Sequence, residues 1–261
     1  MPAAYAHYRF GQQALAALSP ELQKTVKAHI RLYDAGLHGP DPLFYHSIFR
    51  RDEIGALASR YHRIPGGELF EGFCARLREA PAEGGAAFLF GLLTHYCLDS
   101  QCHPLIAQLD EAKTCGHSEL ETEFDRFLLE LDGEPLPHTR DLGAHLRLKP
   151  EELERMARFF PPVTAAQLSR CIRNMTWATR ILSGRGLLPR GILERIIPLA
   201  GETVRQHLMP RTPSPRAKAF DGELLGLYNR ALERFPDLAK QLEEHLYRGA
   251  PLGEAFAPIM G

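Results

Sequence analysis

The sequence predicts an all-α protein, and three observations support this fold class. Ala, Leu, Glu and Arg dominate, whereas apolar and polar residues that alternate with a period of two are scarce. Apolar residues recur instead at the three- and four-residue spacing of an amphipathic helix. Start and stop signals separate these stretches. Ser19 is a predicted N-cap followed by Pro20, and Gly36 ends that helix.

The first half of the chain is predicted to hold six helices. Glycines and prolines separate them in the loop 37–46 and in the "IPGG" of 64–67. The stretch 83–101 is apolar around its whole circumference, so we place this helix at the centre of a bundle, and Pro104 suggests that it ends nearby. The six helices are predicted at residues 10–18, 20–36, 52–63, 68–79, 83–101 and 117–131.

The second half completes the bundle. A proline-containing connector over 133–152 precedes the first of its helices, and the loop 209–218 precedes the last. The helix over 164–183 is expected to pack on the outside, and the C-terminal residues 250–261 are expected to dock as an irregular tail. Helices are predicted at 150–160, 164–183, 190–208 and 220–247. We predict one domain over 1–261, with its chemistry in 1–130 and helical completion of the bundle in 131–261.

Composition excludes several classes of protein. The 31 basic and 32 acidic residues give a net charge of −1, without the basic field of a duplex-DNA binder. The longest apolar run, 84–93, is shorter than the roughly 20 residues of a membrane span, and the N-terminus lacks a signal peptide. We therefore expect a cytoplasmic protein. The five cysteines are an odd number, which favours reduced thiols over a disulfide framework.

Histidines and carboxylates cluster between 95 and 121. His95 and Asp99 are four residues apart on the central helix, with His103 one turn further on, and His117 and Glu121 repeat the spacing on the next helix. Residues four apart share one helical face. Buried carboxylates are costly unless they are paired or bind a metal, and His with Asp or Glu is a zinc ligand set. A metal site is therefore predicted.

Residues 95–121 also allow two other interpretations, a hydrogen-bonded core histidine and a redox cysteine cluster. A single His–acid pair is more often a hydrogen-bonded core histidine, but two pairs and a fifth candidate so close together favour a metal. A redox cysteine cluster is disfavoured, because Cys97 faces away from His95 and Asp99, and Cys102 is offset from His103. Cys115 is better explained as a small buried thiol. Upstream histidines and acids add individually weak candidates, namely His7, Asp41 and His62.

The motifs "AHYRFG", "GLHGPDPLFY", "YHRIPGGELFEGF", "FGLLTHYCLDSQCHPLI" and "HSELETEFD" together resemble the bacterial zinc-dependent phospholipase C family. The wider superfamily includes fungal single-strand-specific nucleases. The resemblance covers roughly residues 1–130. It implies an all-α bundle of that type, with up to three zinc ions in a cleft.

The resemblance also implies which residues bind the ions. The first zinc would take Asp41, His62, His95 and Asp99. The second would take His103, His117 and Glu121. The third would take His7 and a bridging Asp99, together with the first mature residue, which is a tryptophan in the family. Here Pro2, exposed by removal of Met1, is the expected substitute; an intact Met1 would contradict this hypothesis.

Such a cluster implies phosphoester hydrolysis through a zinc-activated water, with Asp99 as the bridge and Asp41 as ligand or general base. A phospholipid or small phosphoester is the expected substrate. Phe44, Tyr45 and Phe49 could form an apolar rim or pack in the core. Nuclease, nucleotidase or phosphomonoesterase activity, or a non-catalytic zinc protein, stay as alternatives.

Polar residues outside the predicted ligand set are expected to play secondary roles. Polar side chains near the predicted ligands are expected to orient them, with Tyr8, Glu123 and Asp125 as candidates. Four histidines outside the cluster lack acid partners on an apolar helical face. They are expected to be solvated: His138, His145, His207 and His245.

Overall fold

The structure, a computed structural model, describes residues 4–48, 50, 52–183 and 189–261. These residues form 12 α-helices and no strands, which confirms the predicted fold class. The helices are, in chain order, α1 (Ala4–Ala14), α2 (Pro20–Ala28), α3 (Ile30–Gly36), α4 (Glu53–Arg63), α5 (Gly66–Glu79), α6 (Gly85–Glu111), α7 (His117–Leu131), α8 (Pro150–Ala157), α9 (Ala165–Leu182), α10 (Arg190–Ile196), α11 (Glu202–Gln206) and α12 (Asp221–Arg248).

The central helix is α6, as the apolar stretch predicts. Every residue from 87 to 100 is buried, and α1, α2, α3, α5, α7, α8 and α12 pack around it. The closest approach is to α3. A Cβ at Gly36 would lie 2.3 Å from the Phe88 carbonyl oxygen, and one at Gly91 would lie 2.3 Å from the Tyr33 carbonyl oxygen. Two glycines thus let the backbones touch, which fixes where the loop after α3 meets α6.

Several predicted boundaries were wrong. The central helix does not end near Pro104 but continues to Glu111. A proline inside a helix removes one hydrogen bond, and here burial of most of the helix offsets that loss. The helix predicted over 20–36 divides into α2 and α3 at His29, whose φ of −125° is not helical. The one predicted over 190–208 divides into α10 and α11 around Pro198 and Gly201.

The first helix begins earlier than the predicted residue 10. Both carboxylate oxygens of Asp125 accept hydrogen bonds from backbone N–H groups in the first turn of α1, at 3.0 Å from Tyr5 N and 2.8 Å from Ala6 N. Asp125 therefore caps α1 from a distant helix, a contact that no local sequence signal announces. Buried apolar residues from both halves of the chain form one continuous cluster. No helix in the described ranges is long and apolar enough to cross a membrane.

Candidate metal centre

Five separate segments bring the predicted ligands together. Three of the ligands lie on α6 and two on the first turns of α7, in each case one helical turn apart as predicted. His62 lies in the last turn of α4, and His7 lies in the middle of α1. Asp41 begins the 3₁₀ segment Asp41–Tyr45, directly after the loop that leaves α3.

The side chains form three groups whose nitrogen and oxygen atoms lie within 4.8 Å of one another. The first group is Asp41, His62 and His95; the second is His103, His117 and Glu121; the third is His7, His95 and Asp99. All eight of these residues were predicted from the sequence. Six are buried, while His103 and His117 are half-buried.

The distances within the groups fit zinc. His62 Nε2 lies 3.0 Å from Asp41 Oδ1, and His117 Nε2 lies 3.2 Å from Glu121 Oε1. Zinc bonds of about 2.0–2.1 Å in a tetrahedron place neighbouring ligand atoms about 3.3–3.4 Å apart. The atoms are thus already near the spacing that a shared zinc ion would require.

Asp99 reaches two histidines with different oxygens. Its Oδ1 lies 3.1 Å from His7 Nε2, and its Oδ2 lies 3.1 Å from His95 Nε2. His103 Nδ1 is 3.7 Å from the same Oδ2. Two oxygens aimed at different partners are what a carboxylate needs to bridge two cations.

Backbone carbonyls set the orientation of three histidines. His62 Nδ1 donates a hydrogen bond to Ala58 O at 2.9 Å, and His95 Nδ1 donates one to Leu37 O at 3.2 Å. His103 Nδ1 donates to Met260 O at 2.8 Å. In the neutral ring, an Nδ1 that donates leaves a lone pair on Nε2, which is the state in which a histidine binds a metal.

Unsatisfied polar atoms in the groups also fit a metal. Asp41 Oδ1 and His95 Nε2 are buried and make no hydrogen bond, although each lies about 3 Å from a polar atom of another member. Buried polar atoms without a hydrogen bond are rare and unfavourable. A cation between them would satisfy both.

The electrostatics of the groups favour a cation too. Burial alone would raise the pKa values of Asp99 and Glu121. The facing histidines hold the pKa of Asp99 well below its usual range, and His117 and His103 contribute to a similar lowering for Glu121. Burial would lower the pKa of His103, yet Asp99 and Glu121 raise it to about 9. The carboxylates are therefore ionised at neutral pH and create a negative potential, as metal ligands must.

A model of the zinc-dependent phospholipase C family matches residues 6–177, about two thirds of the chain. The chain belongs to this family. The match extends well past the motifs of residues 1–130 and includes most of α9. No curated protein matches significantly, and neither does any solved structure.

The third group, His7, His95 and Asp99, lacks a full set of ligands for its own ion. His95 belongs to two groups, but its Nδ1 is engaged by Leu37 O, so it offers a single ligand nitrogen. If His95 serves Asp41 and His62, the third group keeps only His7 and Asp99. A further donor would be needed there. Pro2, the predicted donor, lies outside the described residues, as does Phe49 of the predicted apolar rim.

The expected orienting role of Tyr8, Glu123 and Asp125 was wrong, because none of them hydrogen-bonds a candidate ligand. The Tyr8 ring packs on His145, with centroids 4.5 Å apart. Glu123 accepts from Ser214 N at 2.8 Å and pairs with Arg126. Asp125 caps α1, so it acts on His7 only by placing that helix. Backbone carbonyls do the orienting instead.

The four histidines expected to be solvated are not exposed. His145 Nε2 lies 2.6 Å from His38 Nε2, and burial lowers the pKa of His145 to about 4. His245 is buried and hydrogen-bonds Ala250 O at 2.7 Å. His138 and His207 are half-buried. Burial lowers the pKa of His207 to about 4. The contact of His145 with His38 joins residues 107 positions apart, so helical spacing could not reveal it.

The cysteine prediction agrees with the structure. All five cysteines are free and buried, and none belongs to a candidate metal group of the described residues. Cys97 Sγ points away from the site and donates to Ala231 O at 3.3 Å. Burial raises the pKa of each thiol, so all five are protonated at neutral pH.

The three groups open into one cavity of about 600 Å³. Phe44 and Tyr45 line it, so the rim interpretation fits these two aromatics, although both also pack against the core. The second half of the chain contributes more than was predicted. Its α9, expected on the outside, lines the cavity with part of its inner face, and α11 and the C-terminus also contribute. The additional lining residues are Ala178, Leu182, Val204, His207 and Gly261.

Proposed function

We propose that this protein hydrolyses a phosphodiester with two or three zinc ions held by the three groups. The observation that carries the proposal is the convergence of all three groups on one cavity large enough for a substrate. Bound zinc would supply Lewis-acid activation of a water molecule and neutralise charge on the phosphate oxygens. A purely structural zinc site has its four ligand positions filled by protein and does not need such a cavity.

Asp41 is suited to accept a proton in this reaction. Burial alone would raise its pKa, but His95 and His62 hold it below its usual value, so it is ionised at neutral pH. It is a member of the first group and lies on the cavity wall. A carboxylate in this position can orient a water molecule and take its proton.

Tyr45 is suited to hold the phosphate. Burial raises the pKa of its phenol, and the charges of Asp41 and Glu121 raise it further, so the hydroxyl stays protonated. Tyr45 lines the same cavity as members of the first and second groups. No described residue accepts or donates a hydrogen bond at its hydroxyl, which leaves the proton for a substrate oxygen.

The test is hydrolysis of bis-p-nitrophenyl phosphate by the zinc-loaded protein, compared with p-nitrophenyl phosphate and single-stranded DNA. We expect diester cleavage that is lost in His95→Ala and Asp99→Asn. His29→Ala and Asp237→Asn are matched controls, since neither residue lines the cavity. Preference for the monoester or for DNA would assign the site to a phosphatase or a nuclease. Full zinc occupancy without any hydrolysis would refute catalysis and leave a zinc-binding protein.

A further inference from the structure

A second cavity adjoins the one that holds the candidate ligands. It has a volume of about 660 Å³, similar to the first. The two cavities share four wall residues, Phe44, Ile48, Ser59 and Arg63. A molecule bound at the metal groups could therefore extend directly into the second cavity.

One face of α4 forms a wall of this second cavity. Residues at 52, 55, 56, 59, 60 and 63 line it, at the spacing of a single helical stripe. The opposite face is buried in the core and carries His62. The same helix thus offers a candidate zinc ligand on one side and the wall of the second cavity on the other, with His62 and Arg63 adjacent in the chain.

Three arginines line the second cavity: Arg50, Arg60 and Arg63. None has a hydrogen-bond or ion-pair partner among the residues that the structure describes, whereas several other surface arginines are paired. Asp52, which is the one acid among the described residues of this wall, is already engaged. It caps α4 by accepting from Gly55 N at 2.9 Å and lies 2.7 Å from His46 Nδ1. The second cavity is therefore strongly positive.

The first cavity also contributes a basic side chain next to its candidate ligands. Apart from the candidate ligands, Arg63 is the charged side chain among its described wall residues, because His207 is neutral at pH 7. Among the wall residues that the structure describes, neither cavity has a carboxylate besides the candidate ligands and Asp52. Guanidinium groups bind phosphate in a bidentate geometry.

We infer that the second cavity is an anion subsite, which selects phosphodiesters that carry a second phosphate group on the same molecule. In this arrangement the scissile phosphate lies at the metal groups and the second phosphate binds Arg60 and Arg63, with Arg50 at the rim. As a statement about substrate choice the inference rests on the proposed function. As a statement about anion binding it stands by itself.

The kinetic test compares two soluble lipids that differ by one phosphate. The substrates are dihexanoyl phosphatidylinositol and dihexanoyl phosphatidylinositol 4-phosphate, both below their micelle concentrations. We expect kcat/KM to be higher for the 4-phosphate, and to fall about 10-fold to 100-fold in Arg63→Gln or Arg60→Gln for that lipid alone. Activity on bis-p-nitrophenyl phosphate should not change in Arg60→Gln, because Arg60 lines the second cavity and not the first. Arg230→Gln is the control, because Arg230 is exposed on α12 and lines neither cavity.

A steric variant tests the same subsite without changing charge. A Cβ at Gly55 would meet only Asp52 Oδ1, at 3.6 Å, so a larger side chain there has space to enter the second cavity. Leu is a better helix former than Gly, so Gly55→Leu should fold. We expect it to reduce cleavage of the 4-phosphate lipid selectively, as the arginine variants do.

A binding measurement separates the subsite from catalysis. Calorimetric titration with inositol 1,4-bisphosphate should show binding that weakens at least 10-fold in Arg63→Gln, whether or not the protein turns over any substrate. Equal affinity of the wild type and Arg63→Gln would overturn the subsite while leaving diester hydrolysis intact. Arginine effects that appear only with lipid vesicles, and not with monomeric lipid, would also overturn it, because they would indicate a membrane contact.

Discussion

Gly39→Ala is expected to damage the metal groups without removing any ligand. Gly39 has a φ of +49°, between α3 and the 3₁₀ segment that carries Asp41. A Cβ there would lie 2.6 Å from His95 Cδ2. The His95 ring has no room to retreat, because it is fully buried, stacks on His7 with centroids 4.3 Å apart and donates to Leu37 O.

Two effects of the substitution add up. An alanine with positive φ costs about 1 kcal/mol. Overpacking a buried contact adds about 1–3 kcal/mol, so the free energy of unfolding should fall by roughly 2–4 kcal/mol. The substitution would also tilt the His95 ring, which is a candidate ligand. Loss of the contacts that orient a metal ligand typically lowers metal affinity about 10-fold to 100-fold, and we expect a loss of this size in zinc affinity.

The matched control is Gly133→Ala. Gly133 also has a positive φ, of +81°, but its Cβ would meet nothing within 4 Å. Chemical unfolding of both variants, with and without chelator, gives the stability change, and competition with a chromogenic zinc chelator gives the affinity. Gly39→Ala should lose zinc affinity and Gly133→Ala should not. Equal zinc affinity in the two variants would refute the role assigned to the His95 packing.

Three further predictions concern the bound zinc, a buried carboxyl and a buried phenol. Removing zinc with a chelator should lower the melting temperature by about 10 °C, reversibly on adding zinc, because ionised carboxylates would lose their cation; an unchanged transition would contradict zinc binding. Asp34→Asn should stabilise the protein by about 1 kcal/mol at pH 7, since burial raises the pKa of Asp34 to about 6 and the hydrogen bond from Gln12 is retained. The gain should be absent below pH 3.8, grow up to about pH 6 and then stay constant; a gain that does not vary with pH would exclude the ionisation as its cause. Tyr45→Phe should lower kcat on bis-p-nitrophenyl phosphate about 10-fold with little change in KM, and an unchanged kcat would remove the proposed hydrogen bond to phosphate.

The candidate ligands could be found from the sequence because most of them come in local patterns. His95, Asp99 and His103 share one face of a helix, and so do His117 and Glu121, for reasons that depend only on helical periodicity. His7 and His62 gave weak signals alone and gained meaning from the family motifs. The structure brings all of these residues together, while their binding of zinc stays a prediction.

Other features depend on contacts that local patterns do not describe. The extension of α6 beyond Pro104 reflects burial by surrounding helices, whereas the sequence shows only a helix breaker. The contact between His38 and His145 joins residues 107 positions apart. The basic cavity was also missed, because Arg60 and Arg63 look like ordinary solvated charges until the packing places them on one cavity wall, where no described acid pairs with them.

The C-terminal tail shows why the second half of the chain cannot be treated as mere completion of the bundle. Met260 O accepts from His103 Nδ1 at 2.8 Å, and Gly261 N donates to His62 O at 3.2 Å. Two consecutive residues therefore hold histidines of two different metal groups. The tail is itself fixed to the core, since Pro258 O accepts from Gly66 N at 2.9 Å and Met260 is fully buried. A shift of the tail would move His103 and His62 together, so the spacing between the first and second groups depends on residues far outside the segment that supplies the ligands.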